Sequence, residues 1–265
     1  MVGACEGKVA VVTGASRGLG KAIALRLASE GARVAVSART LEADTGPAEG
    51  SLIETVNEIK AMGGEAIAIR CDLAKAEDRQ NLIAETEKQL GPVEILVNNA
   101  AVTYLLPVEQ FTRKRFDLMV EVQLWAPYEL TQLVLPKMKE RKQGWILNIS
   151  SRAAIHTYGP PFDPVQTLGF SVYGMVKAGL DRMSNSMAAE FFEHGIAVNT
   201  LAPWDNVDTP GAGHHDLVDD FVTEGPEWVA EAALLLCSNP PAQLTARNTY
   251  SQPLLGEFKR TPKII

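Results

Sequence analysis

Tyr173 and Lys177 are the residues of this chain whose types and spacing most directly suggest chemistry. They close the stretch Tyr173-Gly174-Met175-Val176-Lys177. On a helix, positions i and i+4 lie one above the other on one face, so the phenol and the ammonium enter the same space. A lone phenol titrates near ~10 and exchanges protons poorly at neutral pH. An ammonium held beside it favours the phenolate and moves that titration down, toward a range useful for acid–base work. Any surface helix can carry Tyr and Lys at this spacing. The reading therefore rests on the elements that surround the pair.

Those elements begin with Lys8 to Thr13. Val9, Ala10, Val11 and Val12 form a continuous apolar run, the pattern of a strand buried on both faces. Gly14-Ala15-Ser16-Arg17-Gly18-Leu19-Gly20 follows directly. Ala22, Ile23, Leu25, Leu27 and Ala28 then carry a helix to a stop at Gly31. Strand, glycine turn and helix together make a phosphate cradle. The glycines permit a tight turn and close backbone approach, and the helix N-terminus offers free amides to a pyrophosphate. The next strand, Arg33 to Ala38, ends where such a unit reads the adenosine ribose. An acid there would accept from a 2′-hydroxyl; here the chain reads Ser37-Ala38-Arg39-Thr40, with no acid until Glu42. Arg39 suits a 2′-phosphate, and Arg17 in the glycine turn supplies a second cation, so NADP(H) is the expected cofactor.

Strand and helix continue to alternate. Ser51-Leu52-Ile53-Glu54 is a capping box that opens a helix. Strands are expected at 65–71, 93–97, 145–149 and 197–201, with a last short one near 248–251. Helices are expected at 76–90, 172–192 and 226–237. A long helix should run from Thr112 to Arg141, with Pro127 and Pro136 able to bend it. This order predicts an α/β doubly wound Rossmann fold, with a mostly parallel sheet of about seven strands and chemistry outside their carboxyl ends. We expect a single domain over 1–265, including a substrate-side lid loop at about 203–225.

Composition bounds the function. The chain has 265 residues, 46% hydrophobic and 22% charged, and a net charge of −7. The acidic balance argues against a nucleic-acid or anionic-membrane partner. No apolar run is long enough to span a bilayer, so a cytoplasmic protein is expected. Cys5, Cys71 and Cys237 are far apart and read as reduced thiols. His214-His215-Asp216 lacks a third ligand at sensible spacing, so no metal is expected.

With these motifs in order, the chain resembles the compact type of short-chain dehydrogenase/reductase over nearly its whole length. Thr13-Gly14-x-x-x-Gly18-x-Gly20 matches that family's cofactor motif, and Asn98-Asn99-Ala100 its central-strand motif. Asp72 matches its residue near the adenine ring, and Ser151, Tyr173 and Lys177 match its catalytic serine, tyrosine and lysine. The resemblance implies a homotetramer or homodimer and reversible hydride transfer between a nicotinamide and a carbonyl or alcohol. It implies cofactor contacts from Gly14, Ser16, Arg17, Gly18, Leu19, Gly20, Arg39, Asp72, Leu73, Asn99, Ala100, Ala101, Tyr173, Lys177, Pro203 and Thr209. Tyr173 would exchange the proton, Lys177 would hold the phenol acidic and bind the nicotinamide ribose, and Ser151 would orient the substrate oxygen.

Several positions depart from the family pattern. Gln123 stands where an Asn is usual, keeping an amide that can organise a proton-relay water from one methylene further out. Ala101, Trp204 and Ala246 replace glycines, which adds Cβ atoms at turns. The stretch from Ser151 to Tyr173 is longer than usual. Its Ile155, Tyr158, Phe162 and Phe170, with Tyr104, Leu105, Leu106, Trp204 and Val207, are expected to line a largely apolar pocket. The expected reaction is therefore reduction of a bulky apolar ketone or oxidation of its alcohol. The alternatives are a 3-oxoacyl-thioester reductase and an NADP(H)-binding protein without turnover. An epimerase or dehydratase of the larger relatives would need a C-terminal substrate domain that the residues after Pro203 are too few to build.

Overall fold

The structure is a computed structural model that describes residues 2–42, 50–162, 168–207 and 223–265. Thr209, His214 and His215 lie outside the described residues, as does most of the expected lid loop.

Seven strands form one sheet, all neighbours parallel, in the order β3-β2-β1-β4-β5-β6-β9. They are β1 (Val9–Thr13), β2 (Arg33–Ala38), β3 (Glu65–Arg70), β4 (Ile95–Asn98), β5 (Gly144–Ile149), β6 (Ile196–Ala202) and β9 (Asn248–Tyr250). A separate two-residue pair joins β7 (Asn206–Val207) to β8 (Thr223–Glu224). The interior strands β1, β4, β5 and β6 are buried along their whole length, which is why they read as mainly apolar runs with little alternation. Strand β1 pairs with β2 on one side and β4 on the other, so successive connections diverge there. The crevice outside the carboxyl ends at this switch point is where such sheets bind ligands.

Helices cover both faces. One buried cluster joins the sheet to α1 (Gly18–Ala28), α2 (Leu52–Ala61), α7 (Pro226–Ser238) and α8 (Ser251–Glu257). The other joins it to α3 (Ala76–Gln89), α5 (Ala126–Arg141) and α6 (Ser171–Phe191). The Ser51 hydroxyl accepts from the Glu54 amide and the Glu54 carboxylate accepts from the Ser51 amide, completing the expected capping box. Helix α8 was not anticipated from the sequence.

The expected long helix is continuous over 113–141 and widens at one turn. Helix α4 (Arg113–Val120) passes into one wide turn, Glu121–Trp125, bonded i to i+5, before α5 resumes. Pro127 has no N–H to give the Gln123 carbonyl one turn back, and the wider turn absorbs that loss. Pro136 sits inside α5 and does not interrupt it. Ala246 takes the left-handed conformation its missing glycine would favour, with φ at 57°. The fold there keeps its shape and carries the strain.

Candidate active site

The glycine turn between β1 and α1 is tight enough that side chains are excluded. A Cβ on Gly14, whose φ is 68°, would lie 2.8 Å from the Ala100 Cα. One on Gly20 would lie 2.3 Å from the Gly14 carbonyl oxygen. Helix α1 starts without a side-chain cap at Arg17, so its first amides remain for an anion. The Asn99 side chain points into this turn: its Nδ2 donates to the Thr13 and Gly14 carbonyls at 2.9 and 3.2 Å. The Thr13 hydroxyl accepts from the Asn99 and Ala100 amides. Asn99 thus fixes the cradle from behind.

A cleft runs from the turn across the ends of β2, β3 and β4. Gly14, Ser16, Arg17, Arg39, Asp72, Leu73, Ala100 and Ala101 line it, as do Ser37, Thr40 and Val102. Asp72 is the one acid among its described lining residues. Buried Arg79 donates to the Leu73 carbonyl and to Glu121, the latter at 2.7 Å, tying this side of the cleft to the wide helical turn. Leu19 and Gly20 serve differently: Leu19 packs against the apolar cluster under α1, and Gly20 seats the helix on Gly14. The cradle, the uncapped amides and the cationic end of the cleft fit a phosphorylated dinucleotide.

Ser151, Tyr173 and Lys177 meet beyond this cleft, at the end of β5. Helix α6 buries Val172, Val176 and Leu180, which turns Tyr173 and Lys177 toward the strand ends. Gly174 allows the approach, since a Cβ there would lie 2.8 Å from the Ala153 carbonyl oxygen. The Ser151 hydroxyl hydrogen-bonds the Tyr173 phenol and accepts from the Ala153 amide at 3.2 Å. Lys177 is 3% exposed. Its ammonium donates to the Ile149 carbonyl at 2.8 Å and lies 5.8 Å from the Tyr173 ring centre.

The phenol departs from its expected titration. Burial pushes Tyr173 up, and the Ser151 hydrogen bond only partly offsets it. Burial likewise pulls Lys177 down to about 8, opposed by the Asp181 carboxylate. The ammonium is turned to Ile149, which leaves burial to decide the phenol's direction. In this arrangement burial favours the protonated phenol.

Gln123 is buried in the wide turn, where its Nε2 donates to the Val102 carbonyl at 2.8 Å. Its Oε1 is buried with no partner among the described residues, an acceptor without a donor. Pro203 follows β6, half-buried. Trp204 beyond it is held from several sides. Its amide donates to Glu224 and Ser251, its carbonyl accepts from Arg152 at 2.9 Å, and its ring meets the Tyr250 ring edge-on.

The expected apolar wall is assembled in part. Tyr104 packs with Val102, Phe111 and Tyr173 on the small cluster of Met119, Val172 and Val176. The Phe170 ring lies 6.3 Å from that of Tyr173, and Gly169 abuts the Leu106 backbone. Ile155, Tyr158 and Phe162 are exposed. Val207 is not a wall residue; it packs into the apolar cluster beneath the sheet, because β7 is drawn down beside β8. Sequence reasoning missed Asp181 and Glu224, both buried or half-buried near the site. Asp181 had a signal, since it repeats the four-residue step from Tyr173 to Lys177.

The profile of the short chain dehydrogenase family matches residues 8–215. An uncharacterised oxidoreductase of Thermotoga maritima is 34% identical over 198 residues, 75% of this chain and 71% of that protein. A 3-oxoacyl-(acyl-carrier-protein) reductase of Staphylococcus epidermidis is 34% identical over 220 residues, 83% of this chain and 84% of its own length. Among solved structures, a metagenomic short-chain oxidoreductase in complex with NADP superposes with a TM-score of 0.76 at 30% identity, covering 93% of this chain and 97% of that one. A 7α-hydroxysteroid dehydrogenase complexed with NADH and 7-oxo glycochenodeoxycholic acid gives 0.80 at 30% identity, covering 93% and 94%.

Proposed function

Because the chain belongs to the short-chain dehydrogenase/reductase family, we propose that it is an NADP(H)-dependent reductase of bulky, largely apolar ketones, or the dehydrogenase of their alcohols. The observation that carries this reading is the meeting of Ser151, Tyr173 and buried Lys177 at the end of a nucleotide cleft whose far end holds Arg39. Gly14, Gly18 and the first amides of α1 would hold the pyrophosphate, Arg39 and Arg17 the 2′-phosphate, and Asp72 and Leu73 the adenine side. Lys177 would hold the nicotinamide ribose with its remaining donors. The nicotinamide supplies or receives the hydride.

The chain's own residues handle the oxygen and the proton. The Ser151 hydroxyl donates to the substrate oxygen and fixes it beside the phenol. Tyr173 gives its proton to that oxygen as the carbonyl is reduced, and recovers it in the reverse direction. Burial favours the protonated phenol, which suits the reductive direction. Tyr104 and Phe170 form the apolar side of the pocket. We read residues 1–265 as one domain. The stacked, exposed Trp125 and Tyr128 and exposed Met175 on α6 support a homo-oligomer. No helix among the described residues is long and apolar enough to cross a membrane.

A 3-oxoacyl thioester is the second reading, favoured by the likeness to the staphylococcal reductase. Cofactor oxidation against three panels separates them: cyclic and aromatic ketones of rising size, carboxylate-bearing ketones, and 3-oxoacyl thioesters. The first reading expects kcat/KM to rise by up to about 0.8 kcal/mol, roughly fourfold, per buried methylene. Preference for either other panel, or no response to size, overturns it. NADPH should bind more tightly than NADH, and Arg39→Asp should reverse that order; equal affinities in the unaltered protein refute the NADP(H) assignment.

A further inference from the structure

Helix α6 carries three titratable side chains at four-residue steps on one stripe: Tyr173, Lys177 and Asp181. The proposed reaction uses the first two. Asp181 is also turned inward. Its Oδ1 is buried without a hydrogen bond of good geometry, and so is Ser150 Oγ at the end of β5, which the carboxylate faces. Thr200 of β6 supplies a second facing hydroxyl. A half-buried carboxylate that faces two hydroxyls is costly to bury as an anion, and it calls for a reason beyond packing.

That reason is Lys177. An ammonium 3% exposed, with only the Ile149 carbonyl as a hydrogen-bond partner among the described residues, is unfavourable without a nearby anion. No described salt bridge includes it. The carboxylate that acts on it is Asp181, one helical turn further on. We propose that Asp181 is a positioning residue of this enzyme: a buried counter-charge that keeps Lys177 protonated and so sets the alkaline limit of cofactor binding and turnover.

The sign follows from the surroundings. Burial lowers the Lys177 titration to about 8, and the Asp181 carboxylate opposes that. Removing the carboxylate leaves burial unopposed, so Lys177 loses its proton at lower pH. The charged and titratable groups around the pair, among the described residues, are Tyr173 on the same helix, Tyr250 on β9, and Arg152 after β5, which acts on Tyr250. Burial raises Asp181 itself, while the Ser150 and Thr200 hydroxyls and Lys177 hold it down.

This inference rests on the reading of Tyr173 and Lys177 as the reacting pair, and the test separates the two. NADPH affinity is measured from pH 6 to 10 in Tyr173→Phe, which removes the phenol's own titration, and in Tyr173→Phe/Asp181→Asn. The affinity should fall with rising pH in both, and the fall should begin at least half a pH unit lower when Asp181 is replaced. In the otherwise unaltered enzyme, Asp181→Asn should shift the alkaline limb of kcat/KM in the same direction and stay within about threefold of wild type at pH 6. Asp181→Glu should return the limb. A uniform loss across pH with the limb unmoved overturns the proposal. So does failure of both Asp181→Asn and Asp181→Ser to fold, which would assign the carboxylate to structure alone. Turnover retained by Tyr173→Phe would instead refute the catalytic pair, while the binding profile would still decide the role of Asp181.

Discussion

Tyr173→Phe removes one oxygen and little else, which makes it the sharpest probe of the proposed chemistry. The ring stays in the cluster with Met119, Val172 and Val176 and keeps its contact with Phe170. Ser151 loses the phenol but retains the Ala153 amide, so no buried group is stranded. One net hydrogen bond is worth about 1 kcal/mol, and a chain of this size would lose only about 2–4 °C in Tm. Catalysis has more to lose. A positioned general acid contributes about 10²–10⁴-fold, or roughly 3–5 kcal/mol of barrier. Ser151 can still polarise the substrate oxygen, but its hydroxyl is a far weaker acid, so the lower end of that range is the minimum expected. The assay pairs steady-state NADPH oxidation with NADPH affinity by fluorescence. We expect kcat to fall at least a hundredfold while the affinity stays within about threefold. Retention of more than about a tenth of wild-type kcat, an effect under ~1.4 kcal/mol, would remove Tyr173 from the role of general acid–base.

Gln123→Leu leaves the Val102 carbonyl without its donor at the edge of the cleft, and should lower stability by about 1–3 kcal/mol and shift the pH profile of turnover. An active variant with an unchanged profile would show that the proton path does not use this position. Glu231→Ala leaves Arg26, which is 1% exposed and bonded to Glu231 at 2.7 Å, with Glu30 as its remaining carboxylate; a loss of about 1.5–3 kcal/mol, roughly 3–12 °C in Tm, is expected by calorimetry. Glu30 shares that arginine. Burial would raise its carboxyl, but the hydrogen bonds from Arg26 and the Ala4 amide bring it down to about 2. Its contribution is present above the unfolded value near ~4.3 and lost as pH falls toward 2, so acid titration should unfold the protein across that window.

The sheet was legible in the sequence because its interior strands are buried on both faces. Val9 to Val12, Ile95 to Val97 and Trp145 to Leu147 read as continuous apolar runs because helices cover them. The wide turn in the long helix was not legible. Pro127 was visible, yet a proline at that point is equally compatible with a kink, a stop or a new first turn, and Pro136 has the same signature with no break at all. What distinguishes them is tertiary. The turn holding Gln123 is pinned at both ends, by Arg79 on Glu121 and by the Gln123 amide on the Val102 carbonyl. Neither contact leaves a periodic trace, since the partners stand 42 and 21 positions apart.

The site divides in the same way. Residues that act through backbone geometry were readable, because only glycine tolerates the contacts at 14 and 20. Residues that act through electrostatics were readable in identity and not in effect. The spacing of Tyr173 and Lys177 places them together, but it carries no information on solvent. Two groups of ordinary titration, moved into a dry site, both shift toward their neutral forms. The pairing argument alone would have sent the phenol the other way. That contest between burial and neighbouring charge is what a third charged group can tip, and Asp181 is the one on the same stripe. The four-residue step that marks the proposed catalytic pair in the sequence therefore extends one turn further than the proposed reaction requires, and on the proposed role of Asp181 the added turn is where the pH range is open to selection.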